Sequence, residues 1–173
     1  MIYIPIGISG SGKSSYFRHI RKKRKNVFVI SADIIREKIM KRDKVSQDIM
    51  HTNPKYIKET WSSFFKDLKT ALNTKIDLYI DNTNLPRNRR DELYSVINAH
   101  KKRRYDSITF LVFLIDPKKA IKRDLERGKK GEKVVGKDVI LRQVKAFEYP
   151  SLDEVSRLSQ THNVILKIIQ NNR

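Results

Sequence analysis

The sequence predicts an α/β fold of three layers, with a mostly parallel central sheet of about five strands between helices. Short apolar runs alternate with amphipathic segments along the whole chain. Several runs, such as IYIPI, DLYI and SITFLVFLI, are almost continuously apolar, as strands buried on both faces are. A glycine-rich turn separates the first run from the first helical segment.

In chain order, residues 2–6 form a strand, and Pro5 is tolerated only near its end. A helix runs from about Lys13 to Lys22, followed by the basic connection RKKRKN (21–26) and a strand at 27–30. Ser31 is placed to cap a helix that reads ADIIREKIMKR, with Asp33 in its first turn. QDIMHTNP reads as loop. Residues 54–74 form a long amphipathic helix opened by Pro54, with Ile57, Trp61, Phe64, Phe65, Leu68, Ala71 and Leu72 at helical period. A third strand (77–80) ends in DNTN, and a helix covers 86–103. Residues 107–115 give the strongest strand pattern. Pro117 opens a helix closed by Gly128, a charged glycine-bearing segment follows at 129–136, a helix spans 137–149, and a last strand lies at 163–169.

With 173 residues and no linker or repeat, the whole chain (1–173) is expected to be one domain. Lys and Arg number 38 against 19 Asp and Glu, a formal net charge of +19. That excess attracts phosphates, whether on nucleic acid or an anionic membrane face. Cysteine is absent, which excludes disulfides and thiolate metal sites. No apolar run approaches the roughly 20 residues of a spanning helix. No membrane role is therefore expected. A reducing cytoplasm is the expected setting (the host's, if the chain is viral), and self-association into a homo-oligomer stays open.

Gly7-Ile8-Ser9-Gly10-Ser11-Gly12-Lys13-Ser14 fits G-x-x-x-x-G-K-[ST] at each fixed position, between a strand and a helix. Glycines let successive N–H groups converge on phosphate oxygens, and the helix N-terminus adds partial positive charge. The segment Gly7 to Ser15 is thereby expected to bind ATP, with Lys13 reaching the β- and γ-phosphates and the Ser14 hydroxyl offered to Mg²⁺. The fold class becomes that of a P-loop kinase.

Asp33 and Arg36 follow the second strand and share a helix face. A carboxylate there can take a proton from an attacking hydroxyl, and the guanidinium can hold an acceptor phosphate; the alternative is a capping Asp and a solvated Arg. Asp81 ends the third strand, where P-loop proteins place a metal-side carboxylate. Asn82, Thr83 and Asn84 either contact substrate or fix the turn. The stretch KRDLERGKKGEKVVGKD suits a basic lid over about 128–136, with Arg123 and Arg127 on one face and Lys129, Lys130 and Lys133 beyond them. One arginine could serve the transferring phosphoryl group.

The combination GISGSGKSS, SADIIR, DNTNLPRNRR and KRDLERG followed by DVILR resembles the 5′-polynucleotide kinase family, over residues 1 to about 150. The resemblance implies Mg²⁺-dependent transfer of the ATP γ-phosphate to a 5′-hydroxyl of DNA or RNA. It implies Lys13 and Ser14 on the phosphates and metal, Asp33 as general base, and Arg36 and Thr83 on the phosphate 3′ of the accepting nucleotide. Arg127 is the implied lid arginine, with Arg123 beside it; Asn84 is a further candidate substrate contact, and Asp81 a candidate metal ligand. The family often reads D-T-N where this chain has Asn82-Thr83-Asn84. Neither a D-x-D-x-T phosphatase nor a K-x-D-G ligase motif is present, so a stand-alone kinase domain is expected. The competing readings are a kinase of a nucleotide or small metabolite, and an ATP-dependent nucleic-acid switch.

Overall fold

Parallel pairing organises the chain. The structure, a computed structural model, describes residues 1–24, 26–100 and 107–171. Strands β1 (Ile2–Ile6), β2 (Val27–Ile30), β3 (Asp77–Ile80), β4 (Ser107–Leu114) and β5 (Asn163–Gln170) form one sheet in the order β2-β3-β1-β4-β5. Every pairing among them is parallel. The five strands match the expected ones to within a residue at each end.

Alternation along the strands sorts side chains to two faces. Ile2, Ile4, Ile6, Leu78, Ile80, Ile108, Phe110 and Val112 enter one core with residues of α2 (Ala32–Asp43), α4 (Pro54–Leu72), α5 (Arg87–Asn98) and α8 (Leu152–Ser159). Tyr3, Tyr79, Leu111 and Phe113 pack on the other face against Tyr16, Phe17 and Ile20 of α1 (Lys13–Lys23). A third cluster joins Ala120 of α6 (Pro117–Lys129) and Ile140 of α7 (Lys137–Lys145) to Ile8 and Leu85, in the turns after β1 and β3. Each large apolar side chain buried this way contributes about 1.5–3 kcal/mol relative to exposure. The two sheet faces therefore dominate cohesion. Among the described residues, no helix is long and apolar enough to cross a membrane.

Several elements depart from the sequence reading. QDIMHTNP is not loop throughout: α3 (Gln47–Thr52) forms, opened by Ser46, whose side chain accepts from the Ile49 amide. The long helix stops at Leu72, two residues early, and Gly128 does not end α6, which runs on to Lys129. The expected 137–149 helix ends at Lys145. Helix α5 is described from Arg87 to Asn98, and the expected stretch 101–103 lies outside the described residues. Ser31 occupies the cap position of α2 but makes no side-chain cap; Asn82 Oδ1 instead accepts from the Ala32 amide at 3.2 Å.

Helix α8 was not anticipated, although its capping box is written in the sequence: Ser151 accepts from the Glu154 amide, and Glu154 accepts from the Ser151 amide. The same Glu154 takes two parallel hydrogen bonds from Arg90 of α5, each 2.8 Å, and one from Tyr94 Oη at 3.1 Å. Both charged side chains are fully buried. The remaining arginine nitrogen donates to the carbonyls of Asn84, Leu85 and Glu148. Burial alone would raise the Glu154 pKa; hydrogen bonds from Arg90, the Ser151 amide and Tyr94 outweigh it and hold the carboxyl below its ordinary value. Arg90→Leu leaves a buried carboxylate without a counter-ion. It is expected to lose about 3–5 kcal/mol in urea unfolding, and the Arg90→Leu/Glu154→Leu double variant much less than the two single losses combined.

Candidate active site

The chain leaves β1 toward β2 and β3 on one side and later builds β4 and β5 on the other. This reversal opens a crevice at the carboxyl end of β1, where open α/β sheets bind ligands. The turn that follows contains Gly10 (φ 78°) and Gly12 (φ 100°), both left-handed. A side chain at Gly10 would press on the Ala120 carbonyl at 2.8 Å, and one at Gly12 would collide with the Asn171 amide. The Gly7 amide donates to the Thr83 carbonyl (3.0 Å), tying the turn to the end of β3. Ser11 Oγ is buried with no hydrogen-bond partner, an unspent polar atom inside the turn. Left-handed glycines, an open helix N-terminus and this hydroxyl fit a triphosphate.

Lys13 Nζ folds back over the turn and donates to the carbonyls of Gly7 (2.7 Å) and Ile8 (2.8 Å). Its pKa is lowered to about 8, first by burial and then by Arg127, against the opposing pull of Asp81 and Asp33. Asp81 is pushed up by burial and by Asp33, with Lys13 acting against both. Thus Lys13, Asp81, Asp33 and Arg127, from four separate elements, lie within electrostatic reach of one another. Ser14 and Ser15 are exposed on the first turn of α1, and Arg18 donates to Ser15 Oγ at 3.1 Å.

Asp33 opens α2 with its side chain 60% exposed, and Arg36 donates to its Oδ1 at 2.7 Å. His51, at the end of α3, has its pKa lowered by burial and by Arg36 and Lys133, with Asp33 opposing. Thr83 sits half-buried beside Asp81. Asn84 is set apart from the other expected substrate contacts. It is buried in a left-handed conformation (φ 49°), and its side-chain nitrogen donates to the carbonyls of Pro5, Ile80 and Asn82. Those bonds hold the turn after β3.

Arg127 pairs with Asp124 (2.9 Å) on α6. Asp124 is buried and also accepts from the amides of Val135 and Gly136, so it closes the base of the 130–136 loop. Arg123 donates to the Gly10 carbonyl at 3.1 Å and to Asn171. Asn171, after β5, in turn donates to the Ser11 carbonyl at 3.0 Å. Gln143 of α7 accepts from the Ser9 amide at 2.7 Å. Sequence reasoning missed Asp124, Gln143 and Asn171. The last two meet the turn across 134 and 160 residues, and no local spacing announces them.

Below pH 8 the folded chain keeps a half-buried ammonium that the unfolded chain solvates freely, so Lys13 opposes folding there. As pH rises from about 8 toward the ordinary lysine value of 10.5, the folded form sheds its proton first and stability recovers. Lys13→Met is expected to be more stable than the parent by about 1–3 kcal/mol at pH 7, the gain shrinking toward pH 10.5. Urea unfolding at both pH values checks this.

A family model described as an AAA domain matches residues 2–150. A search of curated protein sequences found no match. Among solved structures, the chain is similar to one in the structure of the Pnkp1/Rnl/Hen1 RNA repair complex, at 22% identity and TM-score 0.66, covering 84% of this chain and 43% of that one. It is similar to Chaetomium thermophilum Kti12 in complex with ADP-AlF3, at 16% identity and TM-score 0.68, covering 97% and 89%. It is also similar to a gluconokinase from Sinorhizobium meliloti 1021, at 17% identity and TM-score 0.56, covering 97% and 81%. This chain thus spans less than half the length of the RNA-repair relative. Likeness at these identities establishes the P-loop kinase-like fold, and the family match extends over most of the sequence: the chain belongs to the AAA domain family.

Proposed function

We propose that this chain transfers the γ-phosphate of ATP to the 5′-hydroxyl of a polynucleotide. The observation that carries the reading is the Asp33–Arg36 pair, 2.7 Å apart, at the same sheet edge as the Lys13 turn. A surface with net charge +19 supports a polyanionic acceptor. The RNA-repair complex among the structural relatives agrees with it.

Bound Mg²⁺·ATP supplies the transferable phosphoryl group and the cation that neutralises its developing charge. The turn amides and Lys13 would hold the phosphates, Lys13 exchanging its two carbonyl partners for phosphate oxygens. Ser14 and Asp81 would hold the metal. Arg36 and Thr83 orient an acceptor phosphate, and Arg127 adds charge at the transferring group, with the 130–136 loop as lid. Asp33 takes the hydroxyl proton as the acceptor oxygen bonds to the γ-phosphorus and its bond to the ADP oxygen breaks. Positioning and charge neutralisation carry most of such a transfer.

The second reading, a small-metabolite kinase, draws on the gluconokinase likeness across 97% of this chain. Incubation with γ-labelled ATP, Mg²⁺ and a 5′-hydroxyl oligonucleotide separates the readings. Label on the oligonucleotide is expected; label confined to a mononucleotide or sugar supports the alternative. Asp33→Asn is expected to lose at least about a hundredfold in kcat while keeping ATP affinity, and wild-type turnover in that variant would remove Asp33 from the chemistry. Arg36→Ala is expected to raise KM for a 3′-phosphorylated nucleotide by about tenfold with KM for ATP little changed, as steady-state kinetics on each substrate would show.

A further inference from the structure

Asp33 is engaged on both oxygens. Arg36 holds Oδ1 at 2.7 Å, and Lys133 Nζ lies 3.8 Å from Oδ2. Lys133 belongs to the segment expected to act as a lid (about 128–136), and its ion-pair partner stands at the acceptor side. The base of the loop is fixed by Asp124 through the amides of Val135 and Gly136. Its turns are made by Gly131 (φ 72°) and Gly136 (φ 95°), and a Cβ at either would meet nothing within 4 Å. Val135 packs the loop onto Ile8, Leu85, Ala120 and Ile140 rather than onto α2, whereas charge draws Lys133 toward α2. Lys133 also joins Arg36 in disfavouring a proton on His51, so its charge reaches the end of α3.

A carboxylate paired on both oxygens is poorly placed to receive a hydroxyl proton. A phosphate carries more negative charge than a carboxylate and presents more acceptor oxygens, so it competes well for exposed cations. We infer that Lys133 is an acceptor-binding residue, which together with Arg36 screens Asp33 until a phosphate-bearing acceptor arrives. The two cations then pass to that phosphate, and Asp33 is released toward the hydroxyl. This rests on the functional reading above and deepens it: a loop cation besides Arg36 reads the acceptor phosphate. The loop lysine thereby reports acceptor rather than ATP.

The test uses Lys133→Ala and Lys133→Arg with Mg²⁺·ATP and two acceptors, adenosine 3′-monophosphate and adenosine. Lys133→Ala is expected to raise KM for the 3′-phosphate acceptor about tenfold with KM for ATP within about twofold, so that the preference for adenosine 3′-monophosphate over adenosine falls by at least about tenfold, and Lys133→Arg to restore most of the loss. An unchanged acceptor KM, or equal rises for ATP and acceptor, would overturn the assignment. If the wild-type chain phosphorylates no 5′-hydroxyl, the polynucleotide reading fails on its own. Calorimetry of adenosine 3′-monophosphate with the Mg²⁺·ADP-loaded protein then decides the role of Lys133. Binding weakened by Lys133→Ala supports it; equal binding, or none to either protein, rejects it.

Discussion

Because every strand runs the same way, each strand-to-helix turn emerges at one edge of the sheet. The candidate site depends on that constraint. The phosphate turn follows β1, Asp33 follows β2 and Asp81 follows β3, so residues 20 to 70 positions apart in the chain share one crevice. Lys13 feels all of it: its lowered pKa is the net of burial, one cation and two carboxylates. A single antiparallel strand among β1, β2 and β3 would send one of these groups to the opposite edge.

The buried Arg90–Glu154 pair has a different task. Taking two charges out of water costs several kcal/mol per ion, and such pairs return it only with full hydrogen bonding. Here the bonding is complete, and three of the arginine's contacts are main-chain carbonyls at Asn84, Leu85 and Glu148. An apolar pair could fill the same volume but could not gather those carbonyls. The pair therefore fixes the DNTNLP turn, and with it Asp81 and Thr83, against the segment leading into α8.

Much of this was legible in the sequence. Unbroken apolar runs marked the strands because both sheet faces are covered, and the glycine turn identified itself by motif and context. The Asp33–Arg36 pairing followed from helical spacing. What escaped reading was mostly non-local. Asn171 and Gln143 reach the phosphate turn only because β5 and α7 end beside it. Asp124, which no local spacing marks, is buried under the loop it secures. The α8 capping box was visible but went unread within a polar stretch. The basic connection at 21–26 falls partly outside the described residues; Arg24, which is described, pairs with Asp77.

The outermost strand β5 has colloidal consequences. It pairs with β4 along one side, and Ile165, Leu166 and Ile168 stand 41–51% exposed on it. Lys167 is its one charged residue. An apolar sheet margin of this kind is a template for further strands. Long-range repulsion between molecules of charge +19 keeps such margins apart in dilute buffer. At molar salt, where that repulsion reaches only about 3 Å, the apolar margin is expected to draw molecules together.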